Sequence, residues 1–239
     1  MLMIAVILGG EPGVGKGDQM ELLPKIPFMR GFQRAASMGP LLTAAARNGD
    51  PCAEEIRMAQ HSGKLVSDAT TTRIFMDAFS AVQQDSLPRF VSDGFPRTLG
   101  QYEALRNCLF GRGFDKLIVI EITLFTGHPG NDEEARSILT NRAWNRLQKL
   151  MHLPSDSPLR RPEKPVKNRE EMRALIDIRL VEYFSRTKLF LEQARRDAAR
   201  DWRNKVYHFI VYGHASQIRI HVDIATKLKS IVGSDLVSA

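Results

Sequence analysis

The chain has 239 residues, 43% of them hydrophobic, and its 34 basic and 27 acidic side chains leave a formal charge of +7. That length suits one α/β domain with an insertion, and the charge favours anionic partners such as nucleotides, nucleic acid or an acidic membrane face. Cys52 and Cys108 are the only cysteines and form no C-x-x-C pair, which argues against a disulfide framework or a sulfur-ligated zinc site, and no apolar run of about 18 residues is present to span a bilayer.

In chain order, Ile4 to Leu8 is a short apolar run of the kind a buried parallel strand requires. No basic segment precedes it, so it reads as core rather than signal peptide, and a reducing cytoplasm is the expected compartment. Glycines begin at once: Gly10, Gly15 and Lys16 fit the first seven places of G-x-x-x-x-G-K-[ST], with Gly13 between them and Gly17 in the eighth. A loop with few side chains lets successive N–H groups converge on one anion, and the lysine adds a point charge for outer phosphates.

A short helix follows the loop and stops at Pro24 and Pro27, because proline lacks the N–H a helix needs. Phe28 to Ser37 is ambiguous and is read as the place of a second strand. Leu41–Arg47 and Ala53–His61 read as helices separated by Asn48-Gly49-Asp50-Pro51. Ser67 and Asp68 look like caps of a helix through Val82. Phe90–Ser92 is a brief strand running into Asp93-Gly94-Phe95-Pro96-Arg97, a helix covers Leu99–Leu109, and Leu117–Leu124 is rich in β-branched residues as strands are. Asp132–Leu150 is helical in pattern. The proline-rich, basic segment after it, with Arg160, Arg161, Lys164 and Lys167, reads as a lid or linker. Arg169–Arg200 is expected to be one long helix, Val206–Tyr212 the last strand, and Ile218–Val232 a closing helix. Strands alternating with helices imply a largely parallel sheet with ligand sites at the strand C-termini.

GGEPGVGKGDQ, the SGKLVSD stretch at Ser62–Asp68 and SDGFPRTLGQ at Ser92–Gln101 together resemble the adenylate kinase family, over nearly the whole chain. The DGFPRT string with Gln101 three places after Thr98 is more specific than the phosphate loop. The resemblance implies a P-loop NTPase-type parallel five-stranded sheet flanked by helices, in a single domain over 1–239. Within it lie a helical monophosphate-binding segment at 38–68 and a lid at 150–168. The implied reaction is transfer of the terminal phosphoryl group of ATP to AMP with Mg2+, in nucleotide salvage and energy balance.

The same resemblance assigns roles. Gly10, Gly13, Val14, Gly15, Lys16, Gly17, Asp18 and Arg142 would hold ATP, with Arg142 stacking on adenine. Lys16, Arg97, Arg146 and Arg179 would surround the migrating charge, which suits a transfer whose rate comes from alignment and positive groups. Arg97 would grip the acceptor phosphate with its planar fork, and Asp93 would hold magnesium through water. Met38, Gly63, Leu65, Val66, Gly94, Arg97, Gln101 and Arg169 would form the AMP site, with Gln101 reading a purine edge. Arg169 stands one place beyond Asn168, where the family usually carries an arginine.

Several positions depart from the family pattern. Asp18 replaces a threonine, and Ser37-Met38-Gly39-Pro40-Leu41-Leu42-Thr43 replaces a run with a polar base contact and an arginine. Arg47, one turn beyond Thr43, is a candidate substitute for the lost charge. The lid contains only His152 as a soft metal ligand, so no structural metal is expected there. No membrane and no nucleic-acid partner is expected, and a monomer is. Two other readings stay open: a nucleotide-binding but catalytically weakened assembly or regulatory factor, and a basic protein binding RNA through its lid and the Arg195-Arg196 and Arg200–Lys205 regions.

Overall fold

The computed structural model describes residues 2–29, 33–34, 37–83, 89–126, 131–151 and 166–236. Its centre is a parallel sheet of β1 (Ile4–Gly10), β2 (Gln33–Arg34), β3 (Arg89–Asp93), β4 (Lys116–Thr123) and β5 (Val206–Tyr212), in the order β2-β3-β1-β4-β5. The five-stranded sheet that the resemblance implies is corrected, among the described residues, to four strands and a short edge pairing. Four strands of five to eight residues carry the sheet, and the edge beyond β3 is a two-residue pairing, Gln33 with Phe90 and Arg34 with Val91. With prolines at 24 and 27, the preceding chain is taken up in two 3-10 turns, Leu23–Lys25 and Pro27–Met29, which leaves few residues for a strand.

Alternation along β1 divides the core. Ile4, Val6 and Leu8 point to one face with Ile118, Ile120 and Ile122 of β4. They are covered by α1 (Lys16–Leu22), α6 (Asn131–Met151), α7 (Arg169–Glu182) and α9 (Gln217–Leu236). Ala5 and Ile7 point to the other face, beneath α2 (Met38–Arg47), α3 (Ala53–Ser62), α4 (Asp68–Gln83), α5 (Leu99–Gly111) and α8 (Lys188–Ala199). Both faces of β1 are therefore buried, which explains its unbroken apolar sequence. The long helix expected over Arg169–Arg200 is interrupted by a π-helical turn at Tyr183–Thr187 between α7 and α8. Such turns rotate the downstream residues relative to the upstream face, and here α7 packs on one side of the sheet and α8 on the other.

Two devices fix where the site is built. The sheet order places the crevice between the C-terminal ends of β1 and β3, with Leu8 paired to Asp93. Below it, Asp197 of α8 is buried and accepts hydrogen bonds from Arg106 Nη1 at 2.6 Å, Tyr102 Oη at 2.7 Å and Gln193 Nε2 at 2.7 Å. This cluster ties α8 to α5, and burial beside the carboxylate pushes the Tyr102 phenol up. Most of the predicted lid, with His152, Arg160, Arg161 and Lys164, falls outside the described residues. Among the described residues no helix is long and apolar enough to cross a membrane. Removing Asp197 leaves Arg106, 14% exposed, without its counter-charge. Asp197→Ala should lower unfolding stability by about 3–5 kcal/mol, measured by urea titration, and Asp197→Asn by less.

Candidate functional site

The donor side begins where β1 ends. Gly10 has φ 128, and a Cβ there would lie 1.9 Å from the Ile122 carbonyl oxygen, so only glycine lets the chain turn this close to β4. Gly13 and Gly15 are also left-handed, and Gly15 starts α1. Lys16 folds back over the loop, its Nζ donating to the carbonyls of Gly10 at 2.9 Å and Glu11 at 2.7 Å. An added Cβ at Gly17 meets nothing within 4 Å, so sterics do not explain the absence of a hydroxyl residue. Arg142 grips the loop from α6, donating to the Val14 carbonyl at 3.1 Å and to the Gly213 carbonyl, just after β5, at 2.9 Å. Burial lowers the Arg142 pKa and the exposed Asp18 carboxylate opposes that shift.

The β3 end supplies the facing wall. Gly94 is left-handed at φ 81, Phe95–Pro96 is cis, and Arg97 Nε donates to the Gly94 carbonyl at 3.1 Å. A Cβ on Gly94 would stand 3.2 Å from Arg97 Nη2 and 3.3 Å from Met38 Cβ, so Met38 and Arg97 converge over this glycine. Arg97 is open to solvent yet surrounded by protein, as a side chain in a cleft must be. Burial pushes its guanidinium down and Asp93 pulls it up. Lys16 is depressed first by burial, with Asp93 and Glu11 raising it and Arg97 and Arg146 lowering it further. Asp93, Arg97 and Arg146 are thus each within electrostatic reach of Lys16, and Asp93 of Arg97. Asp93 Oδ1 is buried without a hydrogen-bond partner among the described residues, an orphaned carboxylate oxygen that fits the water shell of a divalent cation.

On the acceptor side, Gly63 closes α3 at φ 78. A Cβ there would meet Leu175 Cδ1 at 2.8 Å and Arg179 Nε at 3.8 Å, so α7 brings Arg179 against this turn. Leu65 is half-buried and Val66 buried beyond it. Arg169 is exposed at the first position of α7, and Asn168 is the N-cap, its Oδ1 accepting the Glu171 N–H at 2.9 Å. An amide at that position therefore has a structural role that an arginine would not fill. Arg47 is exposed on the last turn of α2.

Gln101 stands differently from its expected role. It is buried, with Oε1 accepting the Arg97 N–H at 2.8 Å and Nε2 donating to Asp68 Oδ1 at 2.8 Å, while Thr98 Oγ1 donates to Asp68 Oδ2 at 2.7 Å. Both ends of the amide are engaged with protein. Sequence reading also missed Gln60, whose Nε2 donates to Thr43 Oγ1 at 3.2 Å, while Thr43 Oγ1 donates to the Gly39 carbonyl at 3.0 Å. A neutral pair stands where the family pattern carries an arginine. Glu11 was missed as well: a carboxylate in a glycine loop reads as exposed, and it is fully buried. Because Asp18 is a negative charge at the mouth of an anion site, Asp18→Thr should tighten binding of inorganic tripolyphosphate by about two- to five-fold at low salt. The gain should fade near 1 M salt, as calorimetric titration would show.

No family model matches the chain. Among curated proteins, it is 37% identical over 120 residues to an adenylate kinase of Methylobacterium radiotolerans, covering 49% of this chain and 56% of that protein. It is 30% identical over 185 residues to an adenylate kinase of Mesorhizobium japonicum, covering 76% and 79%, and 33% identical over 160 residues to one of Trichlorobacter lovleyi, covering 65% and 67%. The chain therefore spans little more than half the length of the first relative and about four-fifths of the second. With a glycine loop, an aspartate and an arginine gathered at one crevice, and identity of this order across most of a relative, the chain belongs to the adenylate kinase family.

Proposed function

We propose that this chain transfers the terminal phosphoryl group of ATP to AMP, forming two ADP, and so serves nucleotide salvage and adenylate balance. The observation that carries this reading is the gathering of Asp93, Arg97 and Arg146 within electrostatic reach of Lys16, with both arginines open to solvent. Cations so gathered repel one another, and phosphates relieve that repulsion. Donor phosphates draw Lys16 Nζ from the two loop carbonyls it now faces, while Arg142, fixed to Val14, borders the donor nucleotide. Arg97 grips the acceptor phosphate from the opposite wall. Leu65 and Val66 offer its base an apolar contact, and Gln101 reaches that base after releasing Asp68. Arg146 and Arg179 approach from α6 and α7 to offset charge on the migrating group. Positioning and electrostatic stabilisation are most of what such a transfer asks of a protein. Asp93 would hold magnesium through water, and the bound ion would neutralise phosphate oxygens.

A second reading, a nucleotide-binding member with weakened turnover, is favoured by the neutral Thr43–Gln60 pair and the engaged Gln101 amide. A coupled assay of ADP formation with ATP, magnesium and each of AMP, CMP, UMP and GMP separates the two. Turnover is expected with AMP, and Arg97→Ala should lower it by about 10²–10³-fold, the scale for losing one charge-stabilising donor. A variant as fast as the parent would remove the assignment. ATP binding with no turnover on any acceptor would select the second reading.

A further inference from the structure

Glu11 lies inside the donor loop, and no step of the proposed transfer uses it. Its side chain turns beneath the loop and is fully buried. One carboxylate oxygen accepts the Thr123 hydroxyl and the other accepts the Leu124 N–H at 3.2 Å. Its own carbonyl, meanwhile, accepts Lys16 Nζ at 2.7 Å. One residue thus fastens the loop to the end of β4 and holds Lys16.

The charged and titratable neighbours come from five elements. Lys16 of α1 faces Glu11 across the loop. Glu121 of β4 accepts Lys188 Nζ of α8 at 2.6 Å and pairs with His208 Nε2 of β5 at 3.1 Å. Tyr183, at the start of the π turn, sets its hydroxyl between the Glu11 and Glu121 carboxyls, 3.5 Å from the latter. Lys188 and His208 are engaged by Glu121, so the cation acting on Glu11 is Lys16. Burial pushes the Glu11 carboxyl up, and the Thr123 hydrogen bond and Lys16 hold it back.

We propose that Glu11 is a positioning residue for the donor loop and takes up one proton when a nucleoside triphosphate binds. The inference rests on the donor-site reading above. Incoming phosphates draw Lys16 away from its present partners and bring several negative charges near a buried carboxylate, where solvent screens little. A buried carboxylate deprived of its counter-charge is favoured in the neutral form. One proton passes from solvent to a Glu11 oxygen, and no other bond forms or breaks. The new O–H donates to Thr123 Oγ1, whose hydrogen turns to the Phe125 carbonyl 3.3 Å away. The other Glu11 oxygen keeps the Leu124 N–H. The loop is therefore anchored in both protonation states, and nucleotide binding changes the charge beneath it without loosening it.

Proton uptake fixes the sign of the pH dependence: affinity for the triphosphate falls as pH rises, by at most about tenfold per unit. The window opens at the free-state pKa of Glu11, which lies above the ordinary carboxylate value, and closes at the higher value in the complex. The test is calorimetric titration of magnesium ATP into the full chain in PIPES and in Tris, whose ionisation heats differ, which counts protons. Glu11→Gln mimics the protonated form, with an oxygen for the Leu124 N–H and an NH2 for Thr123 Oγ1. Wild type should take up more protons than Glu11→Gln, by a difference approaching one inside that window, and the variant should lose the corresponding slope of affinity against pH. Titration of the nucleotide itself is common to both proteins and cancels. Equal proton counts would overturn the proposal, since a merely structural role leaves the count unchanged. If Glu11→Gln does not fold, the wild-type infrared difference spectrum on ATP binding decides: a gained protonated-carboxyl band supports the proposal, and no such band overturns it. No ATP binding by wild type would overturn the donor-site reading and this inference with it, whereas ATP binding with equal counts overturns this inference alone.

Discussion

The rest of the site depends on one electrostatic constraint: several cations must stand close together in a crevice before any anion arrives. Arg97 and Arg146 each repel Lys16, and burial depresses Lys16 and Arg97. Carbonyls and carboxylates offset this repulsion. Lys16 is parked on two loop carbonyls, Asp93 acts on both Lys16 and Arg97, and Asp18 acts on Arg142.

The fold supplies that crowding through backbone geometry. The sheet order sets the end of β1 beside the end of β3, where a topological switch leaves room for a ligand. Gly10 allows the loop to leave β1 against the Ile122 carbonyl, and Gly94 allows Arg97 and Met38 to close over the opposite wall. On the far side, α7 delivers Arg179 to Gly63, and the π turn at Tyr183–Thr187 then lets the same helical run change faces of the sheet. The turn at Gly63 and α7 are thus in packed contact through Leu175 and Arg179.

The two halves of the site have diverged unequally from the family pattern. The glycine loop keeps its glycines and lysine and gains a charge at Asp18, where the family pattern has a threonine. The acceptor half loses charge, its Thr43 and Gln60 bonded to each other and to the Gly39 carbonyl. An amide-hydroxyl pair satisfies its own polar atoms and needs no ligand, unlike an arginine. Gln101 behaves alike, bound to Arg97 and Asp68.

By itself the sequence determined the class of fold, the position of most elements and the donor motif. Those features are local: apolar runs, proline stops, and glycines whose spacing is set by one loop. It also exposed the departures at Asp18, Met38, Thr43 and Asn168, because a motif is read position by position. What only tertiary structure decided were contacts between residues distant in sequence. Among the described residues the second strand is the pair Gln33–Arg34 beside β3, and which strand an edge segment pairs with is set by the partner. Asn168 proved to be a helix cap and Gln101 a buried tie to Asp68. Glu11, in a loop that pattern reading leaves open to water, is buried because the chain more than a hundred residues later brings Thr123 and Leu124 to its carboxylate. Burial of a charge is decided by what folds over it, and no window along the chain contains that information.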